Sequence, residues 1–542
     1  MKTIYLTLTL ALACSQAFAQ GMKKLDYINP AQVTGVYNLG MHSAVLSNEG
    51  NRGMDKKDIY TLHFMDETIP VQEFAVNQRS TLFAVESSKE NSVFIFNGQK
   101  ELSLVYVRPN GNPSISLIES PANYQFHSLY ESGMNHDGSL TLFRGYTKLG
   151  KDRQMRDSVI ESGLEFITVN SGGKVINTRY EKRSTYTSDN VVSIFPTSNG
   201  MAYVMESNSP KKKEYALNLV FSDKMGKVTG SFLLSEANTL FPTEVIADNG
   251  QYVVAGYYLK GTIYSAKKTE GLFIQVLKPD GGLIATNTYD WDNLKGKLKG
   301  NQQGDYLFNG KMNIMVESIS ATDNGYRIIC ESYSYGSGVT PAEFLIGDNS
   351  SSSSVVSVYD FVVFETGKSG DVTSVNILKT EPCNIDVGPR LGSRGSLQVS
   401  NLLKRYQIFP YKSLNGNKIQ YVRYKKGEGF YAEIDVLTGE ITDGKPVLLK
   451  PVIVEEVDED YEALKEKSKT IDKLDRFSKR LDNFSEKVDE VGTNAQYGLE
   501  KIDRYFNPYE RMNSGLFILE DKKVITYLIS PESFAIYYEL LN

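Results

Sequence analysis

Residues 241–291 read FPTEVIADNGQYVVAGYYLKGTIYSAKKTEGLFIQVLKPDGGLIATNTYDW, and two turns divide them. The first, Asp248-Asn249-Gly250, carries an Asn-Gly pair, which favours the positive dihedrals of a two-residue hairpin. Phe241 to Ala247 before it and Gln251 to Tyr258 after it are rich in the apolar and aromatic residues that suit strands. A polar excursion follows. Gly271 to Lys278 then reads as a third strand, Pro279 to Gly282 as a turn and Leu283 to Tyr289 as a fourth strand. Four such strands make one blade of a circular sheet array.

The same pair of turns recurs along the chain. The first appears at Asp137-Gly138, Asn199-Gly200, Asn249-Gly250, Asn324-Gly325 and Asn415-Gly416; the second at Gly172-Gly173, Asp223 to Gly226, Asp280-Gly281-Gly282, Lys368 to Asp371 and Thr438-Gly439. Units therefore run approximately from Asn123 to Glu181, Asn190 to Ser235, Phe241 to Trp291, Lys311 to Lys379 and Gly395 to Lys450, with a less regular one from Val76 to Glu119. Strand-like runs are left over at both ends, Val33 to Thr68 and Leu516 to Leu541. A ring closes well when one blade takes strands from both ends, because no loose edge remains. The prediction is an all-β propeller of about seven four-stranded blades, six or eight being compatible, with Phe534 to Leu541 sharing a blade with strands from Val33 to Thr68.

The strings DNGQYVVAGYY and GLFIQVLKPDGGLIATNTYD, behind a leader ending AFAQ, resemble the blade repeats of secreted propeller-like proteins of the Bacteroidota, largely of uncharacterised function. The resemblance covers most of the chain as a repeat grammar. It implies a propeller fold and an export route, and it assigns no catalytic residue.

The totals agree with that grammar. A chain of 542 residues exceeds one ordinary core unless the fold is a repeat or barrel, and 34 Tyr, 25 Phe and 44 Gly against 17 Pro suit strands and tight turns. A net charge of -6, from 59 basic and 65 acidic residues, gives no clustered basic footprint, so nucleic acid is not an expected partner. After the first twenty residues no apolar run is long enough to cross a bilayer as a helix.

Lys2, the apolar stretch Ile4 to Ala13 and Ala17-Phe18-Ala19 before Gln20 form a signal-peptide pattern, with cleavage expected after Ala19. A lipid on Cys14 is the competing reading; Ala11 stands where the usual lipobox has Leu. Without the leader, Cys330 and Cys383 remain, a pair that permits a disulfide but is not a framework.

Two segments break the pattern. Gly336 to Ser354, with Asn349 followed by five serines, is expected to be a solvated loop. Residues 457–506 turn to Glu, Lys, Asp and Arg, with Leu474, Phe477, Leu481, Phe484, Val488 and Val491 spaced by threes and fours, which predicts a helical hairpin broken near Gly492. The expected organisation is a leader at 1–19, blades at 20–456, the hairpin at 457–506 and closing strands at 507–542.

Motifs for chemistry are sparse. The four His fall at His42, His63, His127 and His136, none with a ligand partner at helical or hairpin spacing, so no metal and no cofactor is predicted. Gly392-Ser393-Arg394-Gly395-Ser396 lacks the following helix of a nucleophile elbow, and Gly172-Gly173-Lys174 lacks the upstream Gly of a phosphate loop. Asp290-Trp291-Asp292 holds the only Trp and is the candidate ligand site, an aromatic face with flanking acceptors suited to a sugar ring; the competing reading is a Trp that plugs the gap between two blades. The leading expectation is an exported, non-enzymatic binding or assembly module in the periplasm or at the cell surface, whose partner is another envelope protein or a glycan. The alternative is an enzyme acting on an extracellular glycan or peptide in the central channel.

Overall fold

The computed structural model describes residues 22–541. Outside the description lie 1–21, 300–312, 339–352, 387–411, 448–513, 519–523, 531–534 and 542, with short stretches at 26–27, 29–31, 51–55, 67, 89–90, 99, 136, 152–156, 183–187, 210–213, 262–268, 381–382, 416, 426–427 and 443–444. The expected leader and its cleavage point, the helical hairpin at 457–506 and most of the serine-rich loop lie outside the described residues.

Eight antiparallel sheets follow one another around a propeller. Each of the first seven is a meander of consecutive strands: blade 1 spans residues 33–77, blade 2 81–119, blade 3 124–182, blade 4 188–233, blade 5 238–290, blade 6 313–378 and blade 7 412–447. In blade 6 an extra strand, Cys383–Asp386, pairs with the first part of Ser353–Gly367. The eighth blade joins both ends of the chain, in the order Met22–Leu25, Ala535–Leu541, Val524–Ser530, Ser514–Ile518.

The closure differs in detail from the expectation. Residues 33–77 contain four strands and complete blade 1 alone, so Ala535–Leu541 pairs with Met22–Leu25 instead, Met22 opposite Glu539 and Leu25 opposite Ile536. The count is therefore eight. Met22–Leu25 is too short to show a period, and the fourth strand of blade 1, Gln72–Asn77, falls mostly between the run read as Val33 to Thr68 and the unit read from Val76.

Both faces of a blade are covered by its neighbours, which explains the nearly continuous apolar run QYVVAGYY. Val253 and Ala255 join the layer shared with blade 6, while Tyr252 and Val254 join the layer shared with blade 4. Equivalent layers lie between blades 1 and 2, 2 and 3, 3 and 4, and 6 and 7. Burying one Val, Leu or Phe contributes about 1.5–3 kcal/mol, against about 1 kcal/mol for a net hydrogen bond, so the layers more than the ladders hold the ring.

The turns form as their residues dictate. Asn249 and Gly250 both take positive φ, 47° and 74°, as a two-residue hairpin requires. At the second turn of blade 4 the Asp223 side chain accepts from the backbone N–H of Met225 and of Lys227, both at 2.9 Å, and Gly226 sits at φ 75°. Asn170 does the same in blade 3, with Gly172 and Lys174 as donors. Each of these turns is followed by a register shift of one residue, the bulge that accompanies a left-handed Gly. In blade 5 the turn is also a contact between blades: a Cβ on Gly281 would meet the Ser231 carbonyl at 2.4 Å and one on Gly230 the Asp280 backbone at 2.1 Å.

This grammar makes the two faces of the ring unlike. Connections from first to second and from third to fourth strands emerge on one face, and there they are short. The connections 261–270, 291–312, 339–352, 379–411 and 448–513 all join second to third strands or one blade to the next, so the described strand ends that flank them lie on the opposite face, in blades 5, 6 and 7 and the closing blade.

Register also settles the two cysteines. Cys330 is fully buried and opposes Val362 on one side of Ser353–Gly367; Cys383 opposes Val358 on the other. Strands two apart stand roughly 9–10 Å from each other, beyond the Cα separation that a disulfide spans.

Candidate functional site

Asp290 ends the fourth strand of blade 5, and Trp291 opens a short helix, Trp291–Lys295, that leads toward blade 6. Trp291 is 4% exposed and packs into the layer between those blades, where its Nε1 donates to the Thr269 carbonyl at 3.0 Å. Neither face of the ring is open to a sugar, and the residue fills the gap between blades. The Asp290 carboxylate accepts a short hydrogen bond from the Tyr258 hydroxyl, and Asp292 is exposed. The three residues are thus not brought together as one surface.

The histidines are likewise separate. His63 lies within a strand opposite Val45, and burial lowers its pKa. His127 contacts the Thr147 hydroxyl at 2.6 Å, and His42 stands edge-on to Phe64. His136 is outside the described residues. Among the described residues no group of three or more His, Cys, Asp or Glu is placed to hold a metal ion.

Open aromatic faces occur elsewhere, on blade 3. Its first three strands run 11, 12 and 13 residues, while those of blade 2 run 7, 6 and 7. Leu140 and Leu142 start the face that packs on blade 2, and the same face continues through Arg144, Tyr146 and Lys148. Blade 2 ends near Asn97, whose amide approaches the His127 carbonyl at 3.5 Å. Beyond that step blade 3 stands clear, on the face of the ring that carries the long connections.

The row nearest the step holds Phe126 opposite Tyr146, and the next holds Tyr124 opposite Lys148. Tyr124, Tyr146 and Tyr180 form a triangle of rings with centroids 5.2–5.5 Å apart, in the tilted and edge arrangements that aromatic quadrupoles favour. Tyr146 is buried, Tyr124 is half-buried and Tyr180 is 36% exposed. Across from Tyr146 stands Gly163; a Cβ there would meet the ring at 2.8 Å, so the glycine gives the ring its seat. Tyr258 over Gly271 repeats the device in blade 5.

Under the triangle lies an ion pair shut from water. Arg144 and Glu165 are 0% and 2% exposed, with Arg144 Nε donating to Glu165 and its guanidinium carbon 3.5 Å from the Phe126 ring centroid. Tyr146 donates to Glu161 at 2.6 Å, and Lys182 reaches Glu161 at 4.0 Å. Burial first, and then Glu161, holds the Tyr146 hydroxyl well above the usual phenol range; burial and Glu165 do the same for Tyr180. Both therefore remain protonated donors at neutral pH. The surface thus offers two partly open aromatic faces, phenol oxygens that can still accept, a lysine and a carboxylate, a set suited to stacking on a ring and hydrogen-bonding its hydroxyls. Sequence reasoning missed it. The legible signal was the length of the 123–181 unit beside the short 76–119 unit, together with Tyr124, Tyr146 and Tyr180 near the same ends of their strands.

The chain matches no protein-family model and no curated protein. Solved structures similar to it include AztD of Citrobacter koseri (9% identity, 77% of this chain and 87% of that one, TM-score 0.32). The periplasmic gluconolactonase PpgL of Pseudomonas aeruginosa is similar at 10% identity, with 76% and 96% covered and a TM-score of 0.32. The β-propeller domain of the Trilobed protease of Pyrococcus furiosus is similar at 12% identity, with 77% and 99% covered and a TM-score of 0.32. The propeller assignment rests on the chain's own sheet order, and the reading of the site on its own residues.

Proposed function

We propose that the protein is an exported, non-enzymatic binding module whose partner is an extracellular glycan, held on the face of the ring that carries the long connections. The observation behind this reading is the step between blades 2 and 3, which leaves Tyr124 and Tyr180 partly open over a rigid, charged floor. Rigidity matters because a preformed stacking surface loses little entropy on binding. The signal-peptide pattern at 1–19 supports the export half of the proposal.

Affinity electrophoresis through gels containing neutral or acidic polysaccharides tests it. At least one polysaccharide should retard the protein, and the Tyr124→Ala/Tyr180→Ala double variant should migrate freely while melting close to the wild type. Unretarded wild-type protein in every gel, or retardation that survives the double substitution, would overturn the glycan reading.

A further inference from the structure

A cavity of about 320 Å³ lies between blades 1 and 2 on the opposite face, among the tight turns. We propose that it is a binding site for a small monocarboxylate with an apolar body. The inference is independent of the glycan reading, since it concerns other blades and the other face.

The walls come from three turns fixed by backbone hydrogen bonds. Leu39 N–H donates to the His42 carbonyl at 2.8 Å, Ser88 N–H to the Asn91 carbonyl at 2.8 Å, and Gly111 N–H to the Arg108 carbonyl at 3.2 Å. Gln72 from blade 1 also donates to the Arg108 carbonyl, at 2.6 Å, and so ties the two blades together at the rim. The cavity is therefore preformed, and its volume lies at the lower end of the range for small-molecule sites.

Its chemistry is one-sided. Leu39, Phe64 and Val107, between 2% and 6% exposed, supply an apolar floor. Polar lining comes from His42, Asn91, Ser92, Arg108 and Asn110, and among the described residues no Asp or Glu lines the space. Arg108 Nε donates to Asn91 Oδ1 at 2.7 Å, which orients the guanidinium plane; its terminal amino groups meet no carboxylate among the described residues. A guanidinium held by one edge presents its remaining N–H groups as a fork, the geometry that matches a carboxylate. His42, edge-on to Phe64 with centroids 6.2 Å apart, adds a nitrogen beside the aromatic floor. A cation and an apolar floor in one cavity select a ligand that is negative at one end and oily at the other.

Benzoate is the probe, with benzyl alcohol as its uncharged counterpart. The chain has four His, so imidazole signals of ¹³C-histidine-labelled full-length protein are few, and the His42→Gln variant identifies the one that matters. Benzoate should shift the His42 signal saturably and leave the others in place. Benzyl alcohol should bind more weakly, and Arg108→Gln, a change at an exposed side chain, should weaken benzoate binding about tenfold. As a readout that does not depend on the label, benzoate should raise the melting temperature of wild-type protein, and Arg108→Gln should need about ten times more benzoate for the same rise. No shift of His42 at tens of millimolar benzoate, equal binding of benzyl alcohol, or undiminished binding by Arg108→Gln would each overturn the proposal.

Discussion

Arg144 and Glu165 face one another in register across the second and third strands of blade 3, both almost wholly shut from water, with the guanidinium laid on the ring of Phe126. A pair so placed loses its hydration on folding, and only the fit of its partners compensates. Removing one member leaves the other charged and unmatched. Arg144→Met should therefore cost about 3–5 kcal/mol, while Arg144→Met/Glu165→Leu should lie much nearer the wild type. Urea unfolding of the three proteins checks this, and equal losses for single and double variants would show that the pair is not coupled.

Trp291 gives an optical report on the layer between blades 5 and 6, being the only Trp in the chain. Its emission should be shifted to the blue and resist acrylamide until the protein unfolds. Trp291→Phe, which keeps the ring and loses the bond to the Thr269 carbonyl, should cost about 1 kcal/mol, and Trp291→Ala about 3–5 kcal/mol. Acrylamide quenching as efficient as that of the free amino acid would contradict the burial.

Glu206, on the second strand of blade 4 opposite Asn190 and Leu217, is 8% exposed, and burial pushes its carboxyl up to about 7 from an ordinary 4.5. The folded protein thus holds this proton more tightly than the unfolded chain does. Stability from this group is present below about pH 4.5 and is lost as pH rises through about 7. Glu206→Gln, which cannot ionise, should match the wild type at low pH and exceed it by up to about 3 kcal/mol above pH 7. A difference in stability that stays constant from pH 5 to pH 8 would refute the shift.

Ending the chain after Ser530 removes the strand that links Val524–Ser530 to Met22–Leu25 and should abolish cooperative unfolding of the ring. Removing residues 22–25 alone should cost less, because three strands of the closing blade remain. Differential scanning calorimetry separates the two cases; a truncation at Ser530 that melts as the wild type does would show that the ring does not depend on its last strand.

The blades were legible because a hairpin demands particular residues: Asn-Gly at 249–250 and Gly at 226 mark conformations that other side chains adopt only under strain. Units read as 190–235 and 241–291 end within a few residues of the observed 188–233 and 238–290. What stayed hidden depends on distance in sequence. Met22–Leu25 is too short to show a pattern, and its partner lies at 535–541. The rings of Tyr124, Tyr146 and Tyr180 come from three strands and are exposed only because blade 2 is short, a property of two units compared and not of any motif. Trp291 stood out because it is unique, yet a large ring beside a blade end is worth most as filling, and it is there that the fold uses it.

The pairing of Met22 with Glu539 sets a schedule for folding. Roughly 490 residues separate the first strand of the closing blade from the other three, so of all the pairings in the ring this one spans the longest stretch of chain and is the slowest to find. Until it forms, blades 1 to 7 can stack one after another, each covering the last, while the strand at 22–25 waits with an open edge. Whatever keeps that edge from pairing elsewhere governs how much of the protein reaches its closed form, and mutations at 22–25 should therefore lower yield more than they lower the stability of the finished ring.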